Sequence, residues 1–439
     1  MNDSPDIEGM EVKSKQIKLT KLFAFKRIEG GALYYTIFIF FIVTLITGSL
    51  LLVNYHATVV FHQERLKSNT MDNVLSGIEL FLARPENVPL NTSKEFQLFD
   101  SLESKVLIER KKWGCFDIVT STSSTKWYRF SKTALVGKDI KHPENVAIYM
   151  TNREKYLSIS GETTINGNAY LPEFGIKGAN IEGRGYKGDS LVHGNVKKSN
   201  EILPPLEAGF VDFCKKYLYA SDYSDDSLLN TSPGRVPLYN PFQNKPLLIY
   251  SGDDIILNSK ITGHVIIRSD KAIYVTKDAD TEDIILFAPS IYFEKGFKGG
   301  LQAYAHDTLI VPSRCVFEHG SALGIVNFGI NNVLLKIGKE NQVHGGIILY
   351  QEMQANKLPY LFIDENTLIT GTVYVDGQVE LKGDIHGNLF FIDVILRTER
   401  GLYENFLMDV KVNVQAVSDF FTGPACTDFF KNYKTLKWI

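Results

Sequence analysis

Cysteine is scarce in this chain, with Cys115, Cys214, Cys315 and Cys426 the only four in 439 residues. That number is too small for a disulfide-built scaffold, and the spacing matches no zinc pattern. Excess charge is missing too. Against 50 Asp and Glu stand 47 Lys and Arg, a formal charge of −3, so there is no electrostatic ground for a nucleic-acid partner. The most telling absence is local. No Asp, Glu, Lys or Arg occurs between Glu29 and Glu64.

Inside that gap, Ala32 to Val53 supplies 22 mostly apolar residues. A helix needs about 20 such residues to cross the hydrocarbon of a membrane. The apolar part of a secretory signal is shorter, about 7–15 residues. A transmembrane helix is therefore expected at 32–53. Lys13, Lys15, Lys18, Lys21, Lys26 and Arg27 precede it, whereas Arg65 and Lys67 alone lie close behind. The positive-inside rule then keeps 1–31 in the cytoplasm as a basic tail or leader and exports the rest of the chain beyond the span. No second run of this kind appears, so the expectation is one pass through a bacterial inner (cytoplasmic) membrane. The bulk of the chain would stand in the periplasm or at the cell surface.

Apolar periodicity continues past the span. Met71, Val74, Leu75, Ile78 and Leu82 share one helical face, and Lys67, Asp72, Asn73 and Ser76 occupy the others. Pro85 ends the pattern, because the residue before a proline is pushed out of helical geometry. One helix from about Ala32 to Leu82 is predicted. Its second half is amphipathic and needs a surface to pack against.

The stretch Glu29-Gly-Gly-Ala-Leu-Tyr-Tyr-Thr-Ile-Phe-Ile-Phe-Phe-Ile-Val43 resembles the start of type IV minor pilins and minor pseudopilins. Asn73-Val-Leu-Ser-Gly-Ile-Glu-Leu-Phe-Leu82 is similar to the continuation of their spine helix. The resemblance implies a prepilin peptidase cutting between Gly31 and Ala32, and neighbours that are other pilin-like subunits. Major pilins carry a glutamate five residues into the mature chain, where this sequence has Thr36.

From about Cys115 the chain reads as β-structure, short Ile-, Val-, Tyr- and Phe-rich runs broken by polar turns. A heptapeptide recurs: an aliphatic residue, any residue, Gly, any residue, then three apolar ones. It starts at Ile165, Ile261, Val343, Ile369 and Ile385, with a weaker copy at Val192. Such repeats predict a stacked β-solenoid, with Gly at a corner where the backbone turns left-handed or meets the next coil. Asn356–Phe391 looks like the short coils of bactofilins. The predicted fold is thus mainly β: a single-pass helix extended into an amphipathic helix (32–84), then an exported β-rich domain (85–230). A solenoid-like domain (231–396) and a C-terminal cap (397–439) complete it. Leu203–Tyr219 is expected to hold a short amphipathic helix, and Ser221–Gln243 a polar loop.

Motifs with chemical potential are few. Gly183-Arg-Gly-Tyr-Lys-Gly188 fits the dinucleotide fingerprint but is followed by strand and turn residues, so a β-turn is expected. Gly252-Asp253-Asp254 and Glu318-His319-Gly320 are faintly similar to polygalacturonase motifs, whose remaining parts are missing. His193, His344 and His386 each precede a repeat glycine, as His319 precedes Gly320, and would bind a metal only if aligned. Asp222, Asp225 and Asp226 lack the calcium-loop pattern. No catalytic, cofactor or metal residue is therefore assigned. The expected function is a non-catalytic cell-envelope protein, pilin-like and built into a filament or secretion assembly. A signal-anchored adhesin or glycan-binding module is the alternative, and a carbohydrate-active enzyme stands behind both.

Overall fold

The computed structural model describes residues 31–98, 105–219, 227–229, 237–330, 332–353 and 358–439. The basic flank at 13–27 and the acidic loop at Asp222–Asp226 lie outside the described residues. By contacts the chain divides into Met1–Ser68 and Asn69–Ile439.

In the first unit, the described residues belong to α1 (Gly31–Ala83), the one described helix long and apolar enough to cross a membrane. Leu33, Phe38, Phe41, Leu45, Leu51 and their neighbours are exposed along the whole span. Four threonine side chains of this stretch are satisfied within the helix. Thr36, Thr44, Thr47 and Thr58 each donate a hydroxyl hydrogen bond to the carbonyl four residues earlier, at 2.7–2.9 Å. In hydrocarbon, where an unsatisfied polar group is costly, those four hydroxyls would need no outside partner. The helix ends at Ala83 as the proline rule requires, with Pro85–Asn87 forming a single 3₁₀ turn.

The second unit holds the end of α1 and the β-structure. Four antiparallel strands, β1 (Thr92–Gln97), β2 (Lys105–Trp113), β3 (Phe116–Ser124) and β4 (Arg129–Lys138), form a meander. The C-terminal strand Tyr433–Trp438 pairs with β4 as a fifth member. Strand alternation gives this sheet two buried faces. Val106, Ile108, Val119, Ala134 and Val136 pack with Ile78 and Phe81 of α1. Trp113, Phe116, Ile118 and Leu135 face the other way, onto α2 (Ala208–Tyr219) and the remaining strands.

Those remaining strands pair mainly in parallel. Val343 pairs with Ile369 and Ile369 with Ile385; Ile347, Val373 and Leu389 follow the same register. The ladder then passes to strands from earlier in the chain, Leu389 to Ile148 and Ile148 to Ala169. Ala169 in turn meets Val196. Hence one ladder joins residues on both sides of 230, and the tail contributes a strand at Lys411–Asn413 besides its last one. The apolar triplet of the repeat is explained by double burial. Val373 and Leu389 point into one core, whereas Tyr374 and Phe390 point into a second beneath α2 and the tail.

The expectation of a β-solenoid holds in its coarser part, a mainly β chain with parallel strands. Its finer part is corrected: the parallel strands form a network that closes on itself as a barrel, not a plain stack of coils. The cause lies in the long strands. Leu368–Leu381 and Asp384–Arg397 run on through a register shift near Val375, so Leu368–Leu381 meets two strands, Gln342–Gln351 and Tyr360–Ile363, along one edge. Ladders that separate coils would keep apart are thereby joined.

The repeat glycines do what their spacing implied. Gly167, Gly263, Gly345, Gly371 and Gly387 all have positive φ. At Gly371 (φ 138°) a Cβ would collide with the carbonyl oxygen of Gly345, and at Gly387 with that of Gly371. The strands approach closely because nothing larger stands there.

Candidate functional site

Gly31 and Ala32 are the first described residues of α1, and both are exposed. Thr36, at the position of the pilin glutamate, donates its hydroxyl to the Ala32 carbonyl at 2.7 Å. It has no charge to offer an α-amine. Farther along, within the second unit, Thr70, Asn73, Val74, Ile78 and Phe81 bury one face of α1. Gly77 lets the helix sit directly on Ser121 and Val106 of the sheet. Phe81 meets the Tyr433 ring edge-on at 5.6 Å, and the Arg110 guanidinium lies 5.4 Å from its centroid.

Beneath that contact is a buried ionic cluster. Arg110 and Lys112 continue the every-second-residue face of Val106 and Ile108 along β2, so strand periodicity turns both cations inward. Asp117 on β3 receives Arg110 Nε at 2.9 Å, Arg110 Nη2 at 2.6 Å and Lys112 Nζ at 2.8 Å. Lys112 also binds Glu207, just before α2, and the Ala425 carbonyl; Arg110 reaches the Tyr433 hydroxyl at 2.6 Å. Burial works to raise the Asp117 pKa, but Lys112 and Arg110 outweigh it and hold the carboxyl below its ordinary range. Burial likewise opposes the Lys112 charge, and Asp117 and Glu207 outweigh it, so its pKa is raised. Lys138 is the exception. Burial wins there and brings it down to about 8, with its Nζ 3.6 Å from the Tyr433 centroid. Asp117 has no exposed surface, so the cluster offers a substrate no approach. What it does is tie the β2–β3 hairpin to α2 and to the C-terminal segment. The alternation of 106, 108, 110 and 112 was the sequence signal for it.

The candidate motifs disperse. Glu182 and Gly183 form the turn of a two-strand hairpin, both with positive φ, and Arg184–Gly185 is its second strand, so the motif begins in a turn but runs on as strand. Asp253 pairs with Lys271 at 2.6 Å and Asp254 accepts the Ala272 amide at 3.1 Å. The His319 ring shares a hydrogen bond with the Thr422 carbonyl at 3.0 Å and stacks on Phe421. His344 and His386 share a register but are separated by Thr370. Among the described residues no three His, Cys, Asp or Glu are grouped to hold a metal. All four cysteines are buried free thiols; Cys115, Cys214 and Cys426 lie in the core around α2, and Cys315 lies in the parallel-strand core. Burial pushes the Cys115 thiol up to about 12, the range of an inert side chain.

A polar hollow of 620 Å3 opens where the last parallel strands end, lined by Lys141, Asn145, Asn168, His193, Asn195 and Gln415 among others. Lys141 is engaged by Asp419 at 2.7 Å, and Asn168 by the Glu144 carbonyl and the Asn195 amide. No Phe, Tyr or Trp lines it. Comparison with family models, curated proteins and solved structures returns no match. The reading of function therefore rests on the chain itself.

Proposed function

We propose that this chain is a non-catalytic, membrane-anchored protein of the bacterial cell envelope, with α1 as a pilin-like spine in a filament or secretion assembly. The observation that carries the reading is the two-part character of α1. Its first part is exposed and mostly apolar with four threonine hydroxyls bonded to the helix backbone, and its last part is buried on a sheet by Val74, Ile78 and Phe81. A helix of this kind both enters lipid and holds a folded body. The pilin-like stretch from Glu29 supports the finer assignment, in which a prepilin peptidase cuts after Gly31. Thr36 lacks the carboxylate that would pair with a new amine at Ala32. Such a subunit suits a filament tip or a small assembly complex better than a repeated shaft.

N-terminal sequencing of membrane-extracted protein tests this. A mature chain beginning at Ala32, lost in Gly31→Leu, is expected. Recovery of the intact leader, with the protein still in the membrane, would replace the spine by a plain signal anchor. The polar hollow at Asn145, Asn168 and Asn195 favours, as a second reading, an anchored module that holds a glycan through amide hydrogen bonds.

A further inference from the structure

The tail makes a turn beside the polar hollow, and the turn carries two adjacent phenylalanines with different surroundings. Phe421 donates its amide to the Ser418 carbonyl at 3.0 Å, and its ring stacks on His319 at 4.6 Å. Phe420 donates its amide to the Ser418 hydroxyl at 3.3 Å, but its side chain is 93% exposed. The turn is held in place from two sides. Lys141 Nζ donates to the Val417 carbonyl at 3.1 Å and to the Asp419 carboxylate at 2.7 Å. Lys434 Nζ donates to the Asp419 carbonyl at 3.0 Å. A single exposed apolar side chain needs no explanation by itself. Its place gives this one a use. Lys141 and Gln415 both line the hollow, and Phe420 directly follows the residue that holds Lys141.

Inside the hollow the hydrogen-bonding groups are amides. Asn168 is fixed at both ends of its side chain, donating to the Glu144 carbonyl at 2.6 Å and accepting the Asn195 amide at 2.9 Å. Among the described residues, the side-chain amides of Asn145, Asn195 and Gln415 have no hydrogen-bond partner. Each can both donate and accept. Gly167 and Gly194 add bare backbone to the same lining.

Charge narrows the ligand. The lining has one lysine and no carboxylate, and Asp419 neutralises that lysine. Apart from His193, it then holds no unpaired titratable group. A ligand that suits it carries no charge, offers hydroxyls or amides around its edge, and has one apolar face. A pyranose ring meets all three conditions, since the C–H groups on its faces suit the negative face of an aromatic ring. At 620 Å3 the hollow is in the size range of small-molecule sites.

We propose that the hollow takes a neutral sugar unit of a glycan, with Asn145, Asn195 and Gln415 on its hydroxyls and Phe420 against a C–H face of the chain at the rim. The inference rests on the reading of the hollow as a glycan site. It adds the charge class of the ligand and an aromatic contact.

Isothermal titration calorimetry of the full chain, in a detergent without a sugar headgroup, tests this. Maltohexaose, cellohexaose and chitohexaose serve as neutral probes, and hexagalacturonate as the acidic one. At least one neutral probe should bind, Phe420→Ala should weaken it about tenfold, and Phe420→Tyr should retain it. Asn195→Ala should weaken the same probe. Weakening by Asn195→Ala with full affinity in Phe420→Ala would overturn the inference and leave the glycan reading standing. Tighter binding of hexagalacturonate than of any neutral probe would do the same. Binding of no probe, or binding that neither alanine changes, would overturn the inference and the glycan reading together. Asn195 and Phe420 are both exposed, and circular dichroism checks that the variants keep the fold.

Discussion

Lys112 and Asp117 face each other across the β2–β3 hairpin, with Nζ and Oδ1 2.8 Å apart and both side chains sealed from water. Two cations share that one carboxylate. Removing it by Asp117→Ala would strand Arg110 and Lys112 in a dry interior with Glu207 as their remaining anion. Breaking a buried pair from one side costs about 3–5 kcal/mol. Urea unfolding of the variant should show a loss of that size. A loss under about 1 kcal/mol, the scale of a surface pair, would show the cluster to be solvated.

Lys138 gives a pH signature. Burial lowers its pKa from 10.5 to about 8 in the folded chain. Below about 8 both folded and unfolded states hold the proton, and the fold bears the full penalty. Between about 8 and 10.5 the unfolded state binds more protons, so stability rises with pH. Relative to Lys138→Met, which removes the titration, the wild type should therefore gain stability across that window. Comparing the two cancels the buried thiols and phenols. A constant difference from pH 7 to 10.5 would contradict the burial of Lys138.

Glycine substitutions separate fold from chance. Gly371→Ala forces a Cβ into the Gly345 carbonyl at φ 138° and should destabilise by about 2–3 kcal/mol. Gly252, in the motif with Asp253 and Asp254, has open space around it. Gly252→Ala should stay within about 0.5 kcal/mol. Equal effects at the two sites would mean that the close approach between repeat strands does not form.

Local patterns in the sequence carried much of this. The gap between Glu29 and Glu64 located the long apolar helix, and the spacing of Met71 to Leu82 with Pro85 placed its C-terminal end to within a residue. The heptapeptide placed five glycines at positive φ. The helix at 208–219 was legible from its prolines and apolar spacing. Long-range closure was not. Arg110 meets Tyr433 across most of the chain, and Leu389 hands its ladder back to Ile148. Periodicity reports which face of a strand is buried, never which distant strand covers it. For the same reason the repeat suggested separate coils, since it could not show that Leu368–Leu381 runs on through its bend.

The central claim is that α1 anchors the chain and that the β-structure lies outside the cytoplasm. The four native thiols are all buried, which makes the protein a quiet background for cysteine labelling. Phe420 is 93% exposed, so Phe420→Cys places one reactive thiol on the surface. A membrane-impermeant maleimide added to intact spheroplasts is predicted to label this variant fully, and the wild type not at all. Labelling only after the membrane is lysed would place the β-structure in the cytoplasm and contradict the account.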